Sequence, residues 1–69
     1  PNPFSEAITI ENCPLNSRIV VTDALGNVVM CVNATTARVK LEFNENASGV
    51  YFVEIISGDQ IQRTKAVKL

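Results

Sequence analysis

Residues 37–43 read Ala-Arg-Val-Lys-Leu-Glu-Phe and alternate strictly between apolar and charged side chains. Successive side chains of an extended strand point to opposite faces, so Val39, Leu41 and Phe43 should share one buried face. The alternating charged residues Arg38, Lys40 and Glu42 should then face solvent. This segment therefore predicts a half-buried β-strand, and it sets the pattern against which the rest of the chain is compared.

The same period of two recurs along the chain, and glycine and proline fall between the apolar runs rather than inside them. Short strands separated by turn residues, with no helical period, are typical of sandwiches and barrels. We predict an all-β fold, an immunoglobulin-like antiparallel β-sandwich of six to seven short strands. The predicted strands cover residues 6–12, 18–23, 27–33, 37–43, 50–57 and 60–68.

The length and composition limit the classes of protein to consider. A chain of 69 residues is one domain at most, and 46% apolar residues exceed what disordered segments contain. The net charge of −1 provides no broad basic field for nucleic acid, and no apolar run approaches the length of a membrane-spanning helix. The chain starts at Pro1 without a signal-peptide pattern, so we interpret residues 1–69 as a single domain excised from a longer protein.

The residue types that usually carry catalysis are sparse. The chain has no histidine, its seven carboxylates are scattered, and its three glycines are isolated turn residues. Acid–base catalysis, metal binding and phosphate binding all need such groups to be clustered. We therefore predict no enzymatic activity, no catalytic or metal-binding residues and no cofactor.

Two cysteines, Cys13 and Cys31, close the first predicted strand and lie late in the third. In an up-down-up strand order these positions fall on the same side of the module, so a disulfide is geometrically allowed. The alternative is a pair of small buried thiols. The residues do not decide between the two.

The third and fifth predicted strands are apolar on both faces. We place Val29 and Cys31 inward in the third strand, and Tyr51, Val53 and Ile55 inward in the fifth. The opposite positions would then form an exposed apolar patch, which usually marks an interaction site. Either this patch exists, or the inward phase of one strand is wrong, or a missing part of the parent chain covers it. The patch comprises Val28, Met30, Val32, Val50, Phe52 and Ile56.

Four short motifs follow one another in a fixed order. They are Pro-Asn-Pro-Phe at residues 1–4, Val-x-Asp-x-x-Gly-x-x-Val at residues 21–29, Ser-Gly-Val-Tyr-Phe-Val at residues 48–53, and Lys-Ala-Val-Lys-Leu at residues 65–69. Together they cover essentially the whole chain, which resembles the C-terminal sorting domain of the type IX secretion system of Bacteroidota. The two cysteines do not belong to this pattern.

This resemblance implies a function without an active site. Such a domain directs its N-terminal cargo domain across the outer membrane, and a cell-surface sortase then usually removes it. The implied partners are the type IX translocon and the outer-membrane shuttle and sortase proteins. The implied location is the periplasm in transit, followed by the cell surface or the medium. The residues carried over by position to machinery recognition are Pro3, Phe4, Gly26, Gly49, Tyr51, Lys65, Val67, Lys68 and Leu69.

Two alternatives stand beside this interpretation. The domain could instead be an immunoglobulin-like or fibronectin-like accessory module that spaces an extracellular enzyme or binds carbohydrate. The basic ending, with Arg63, Lys65 and Lys68 and no acid, could instead protect an edge strand against pairing with other chains. If the domain is instead a sorting signal, the translocation apparatus recognises the last strand and its basic end.

Overall fold

A computed structural model of the chain describes residues 6–69, which form six β-strands. Every strand predicted from the alternation is present, and the second and sixth have the predicted bounds. The first and fourth are shorter than predicted, the first because Asn12 adopts a left-handed conformation with φ of 58°. The strands are β1 Ala7–Ile10, β2 Arg18–Asp23, β3 Val28–Asn33, β4 Val39–Glu42, β5 Gly49–Ser57 and β6 Gln60–Lys68.

The strands form two antiparallel sheets of unequal size. A four-stranded sheet has the order β3-β2-β5-β6, and a two-stranded sheet pairs β1 with β4. The sheets pack face to face, which confirms the predicted all-β sandwich. Residues 6–69 contain no helix, so no described segment is a helix long and apolar enough to cross a bilayer.

The core lies between the sheets and is built from the alternate positions of five strands. Ile19, Val21 and Phe43 are completely buried at 0% exposure. The ring of Phe43 meets that of Tyr51 edge to face, with 5.2 Å between centroids. The inward positions predicted for β4 and β5 are thus confirmed, with Ile55 half-buried against the core, as is Ile10 of β1.

The inward phase predicted for β3 is wrong. Met30 and Val32 pack against the core, whereas Val29 and Cys31 are exposed. The register explains the shift, because Met30 lies opposite the buried Val21 and a β-bulge follows between β2 and β3. Residues 28–32 are all apolar or cysteine, so the sequence of this strand contains no alternation from which its phase could be read.

A small polar network around Ser17 connects two loops at one end of the sandwich. The Ser17 hydroxyl, buried at 1% exposure, donates to the carbonyl of Pro14 at 2.7 Å. Backbone hydrogen bonds link this turn to the β3–β4 connection, from Asn16 N to Ala34 O and from Ala34 N to Ser17 O. The turn before β2 and the connection after β3 therefore hold each other in place.

Candidate functional site

Three of the four sequence motifs meet at one end of the four-stranded sheet, although they are far apart in the chain. Asp23, the last residue of β2, lies opposite Tyr51 of β5, and Tyr51 lies opposite Ala66 of β6. We call this end of the sheet, formed by residues 23–27, 49–51 and 65–69, the motif end. The fourth motif, with Pro3 and Phe4, lies outside the described residues.

The β2–β3 loop at the motif end is organised by Asp23. Its Oδ1 atom accepts hydrogen bonds from the backbone N–H groups of Leu25 at 3.0 Å and Asn27 at 2.9 Å. The bond from Asn27, followed by weaker ones from the same loop, lowers the pKa of the Asp23 carboxyl from its ordinary value of 3.8. Gly26 has φ of +92°, a conformation that side chains with a Cβ rarely adopt. Gly26 therefore serves the turn itself.

The start of β5 contributes a second glycine and a buried ring. Gly49 has φ of +145°, and a Cβ there would meet nothing within 4 Å, so backbone conformation rather than space favours glycine. Tyr51 is buried, and its hydroxyl donates to the carbonyl of Ala47 at 2.6 Å. A buried tyrosine hydroxyl needs such a partner, and this bond fixes the loop that leads into the strand.

The basic ending does not form one continuous patch. Lys65 lies opposite Phe52, and Lys68 lies opposite Gly49, so their side chains leave β6 on opposite faces. The Lys68 ammonium donates to the carbonyl of Asn46 at 2.5 Å. Leu69 remains 69% exposed. The ending thus combines a lysine held against the β4–β5 loop with an exposed apolar terminus.

Both cysteines are free in the structure, so the disulfide alternative is not realised there. Cys13 is buried, with its Sγ atom 3.1 Å from Ser17 Oγ. Cys31 lies opposite Val20, and its exposed side chain is therefore on the face of the sheet away from the core. The two thiols lie on opposite sides of the sheet because β3 has the other phase from the one predicted.

The exposed face of the four-stranded sheet is a feature that the sequence only partly indicated. We call this surface the outer face; it is formed by Arg18, Val20, Thr22, Val50, Phe52, Glu54, Ile56, Ile61, Arg63, Lys65 and Val67, together with neighbouring β3 side chains. Phe52, Ile56 and Val50 lie outward as predicted, whereas Met30 and Val32 do not. Arg63 stacks over Phe52, with its guanidinium carbon 4.5 Å from the ring centroid.

Arg18 occupies the β2 side of the outer face. Its Nε atom donates to Cys31 Sγ at 3.4 Å, and this contact raises the pKa of the guanidinium further above its ordinary value. Arg18 was not singled out from the sequence, although its position two residues before Val20 places both on the same face of a strand. The strand order decides which residues of β6 lie on the same face as Arg18 and Val20, and the sequence alone does not give that order.

A crevice also runs between the two sheets, along β1 and β6. It has a volume of about 160 Å³, and among the described residues that line it only Lys65 is titratable. Within residues 6–69, no three side chains of the metal-ligating types cluster closely enough to hold an ion. The lining of the crevice is mainly aliphatic, from Ile8, Ile10, Val53, Ile55 and Ala66.

Comparison with known proteins identifies the family of the chain. The family model described as the secretion system C-terminal sorting domain matches residues 1–68 of the chain. The searches of curated proteins and of solved structures returned no significant match. The family match includes the motifs that converge at the motif end, up to Lys68, together with the opening residues outside the described part. By this match over nearly its whole length, the chain belongs to the family of type IX secretion system C-terminal sorting domains.

Proposed function

We propose that the domain directs an attached cargo protein across the outer membrane and that the translocation machinery reads its motif end. The observation that carries this proposal is the convergence of three separated motifs at one end of one sheet. Tyr51, opposite both Asp23 and Ala66, lies where the three meet. Membership of a secretion-signal family supports the general role.

The motif end has the rigidity that recognition of a folded signal requires. The loop after β2 is fixed by Asp23, the loop before β5 is fixed by the Tyr51 hydroxyl, and Lys68 ties β6 to the same loop. A preorganised surface loses less conformational entropy on binding than a flexible one. Gly26, Gly49 and Tyr51 would then act by shaping this end, and Lys65, Val67, Lys68 and Leu69 by presenting side chains.

The finer steps form part of the same proposal. Residues 1–69 act as one domain that is bound rather than one that catalyses a reaction. The domain passes through the periplasm, contacts the translocon and the outer-membrane shuttle, and is removed by the surface sortase. The cargo then stays on the cell surface or is released.

A reporter fusion tests the general function. Residues 1–69 are placed at the C-terminus of a periplasmic reporter in a type IX-competent host and in the same host without its translocon. We expect the reporter outside the first host and inside the second. Equal amounts outside both hosts would contradict secretion by this route, and retention in both would contradict a sorting function.

Point variants test whether the translocation machinery recognises the motif end. Deleting residues 65–69 would also remove Ala66 from the core, so Lys68→Gln and a deletion of Leu69 alone are sharper. Lys40→Gln, at an exposed position of β4, is the matched control for loss of one charge. We expect reduced export of the first two variants, with both still folded by circular dichroism. Export equal to that of the control would show that this end is not read.

A further inference from the structure

We propose that the outer face of the four-stranded sheet docks onto an envelope protein whose own surface presents apolar side chains bordered by carboxylates. This inference rests on the proposed secretion function but concerns the broad side of the sheet, which meets the motif end only at Val50, Lys65 and Val67. The motif end is where β2, β5 and β6 begin or end, whereas the outer face runs along the length of these strands.

Charge is distributed unevenly over the molecule. The outer face carries Arg18, Arg63 and Lys65 against the single acid Glu54, which gives it a net charge of +2, whereas the whole chain has −1. The remaining surface is therefore acidic. Segregation of this kind steers association with a partner of opposite charge.

The same face carries apolar groups that a solvent-facing sheet does not need. Ile61 is 63% exposed, and its cross-strand partner Ile56 is half-buried beside it. Arg63 stacks on Phe52, which pairs two of the residue types found in the centres of protein interfaces. Apolar side chains between arginines suit a partner that offers both apolar contact and carboxylates.

The charge argues against a second copy of the chain as the occupant. Two outer faces would bring together two surfaces that each carry a net charge of +2, and like charges across an interface are unfavourable.

The charge also argues against a lipid surface. Binding to anionic membranes usually takes a cluster of roughly four to eight Lys or Arg residues. The outer face has three basic residues, and Glu54 lies directly opposite Arg63 between β5 and β6. A protein surface with a few placed carboxylates matches this arrangement better.

Charge reversal in the reporter fusion tests the proposal. The variant is Arg18→Glu with Arg63→Glu, and the matched control is Arg38→Glu with Lys40→Glu near the exposed side of the small sheet. Each pair contains one arginine beside a glutamate, Arg63 opposite Glu54 and Arg38 bonded to Glu11. We expect export of the first variant to fall about tenfold, equivalent to about 1.4 kcal/mol in binding, while the control stays near wild type and both remain folded by circular dichroism.

Cross-linking in the exporting cell identifies the contact. A photoreactive p-benzoylphenylalanine replaces Ile61 on the outer face or Lys40 on the small sheet. We expect one dominant protein adduct at the first position, lost in the Arg18→Glu, Arg63→Glu background and absent at the second position. Reversing carboxylates of the captured protein to lysine should restore export of the charge-reversed domain.

The outcomes separate this inference from the proposed function. Export of the wild-type fusion with equal export of both charge-reversed variants would refute docking and leave the secretion function intact. If the wild-type fusion itself were not exported, both the proposed secretion function and the docking proposal would be contradicted. Purified domain that binds vesicles of phosphatidylethanolamine and phosphatidylglycerol, with binding lost on reversal of Arg18 and Arg63, would replace the protein partner with a lipid surface and overturn the proposal.

Discussion

The two faces of the four-stranded sheet are made by the same strands but differ in almost every physical property. On the inner face, Ile19, Val21 and Val53 are buried and pack against the small sheet. In β2, Arg18 and Val20 alternate with Ile19 and Val21. Arg18 and Val20 lie on the outer face, where they are exposed and half-buried, respectively. Since side chains alternate along a strand, one short segment can stabilise the fold with one half of its residues and contact a partner with the other half.

The largest expected effect tests this division with two neighbouring valines of β2. Val21→Ala should lower the free energy of unfolding by about 2 kcal/mol or more, because it removes buried methyl groups and leaves a cavity. Val20→Ala, one residue away on the outer face, should cost less than about 1 kcal/mol, since its side chain is only half-buried. Urea unfolding of both variants gives the comparison, and equal costs would contradict the separation of the two faces.

A smaller effect is expected at Tyr51, whose ring is on the inner face while its hydroxyl reaches the β4–β5 loop. Tyr51→Phe keeps the ring against Phe43 but removes the hydrogen bond to Ala47. We expect a loss of about 1 kcal/mol in the free energy of unfolding, the usual net value of such a bond. Faster amide hydrogen exchange in residues 44–48 would accompany it. Unchanged exchange there would mean that packing of the ring alone holds the loop.

The smallest effect concerns acid and the exposed loop after β2. The lowered pKa of Asp23 means that the ionised carboxylate is favoured in the folded state. Its contribution to stability is therefore present above the ordinary value of 3.8 and is lost as the pH falls through the lower folded value. Asp23→Asn keeps an acceptor oxygen but does not titrate.

The unfolding free energies of wild type and Asp23→Asn, measured from pH 6 to pH 2, test this linkage. The advantage of the wild type should shrink as the pH falls below about 4. Glu45→Gln, in another exposed loop, is the matched control for loss of a carboxylate. A constant difference between wild type and Asp23→Asn across the range would show that the loop does not favour the charged form.

The alternation of the sequence predicts the strands well wherever polar and apolar residues actually alternate. Val39 and Leu41 of β4 are buried as predicted. In β3 every position from Val28 to Val32 is apolar or cysteine, so the phase depends on the loop and the bulge that set the register with β2. The disulfide alternative rested on strand order alone, whereas the phase of β3 decides which face of the sheet carries the Cys31 thiol.

The candidate surfaces are less predictable because they depend on strand order. The motifs mark residues that lie near the turns, but their convergence results from β5 lying between β2 and β6. The outer face likewise combines Arg18 with Arg63, residues from strands that are not adjacent in the chain. Periodicity gives the face on which a side chain lies within its own strand, and only the sheet order gives its neighbours.

The strand order has a consequence for when the fold can form during synthesis. β2 has β5 as its inner neighbour, and β1 pairs with β4, so the first half of the chain can complete only the β2–β3 hairpin. A lone hairpin is marginally stable in water. The four-stranded sheet is therefore complete only after residues up to Lys68 have been synthesised. A partner that binds the folded sandwich thus encounters chains whose synthesis has passed that residue.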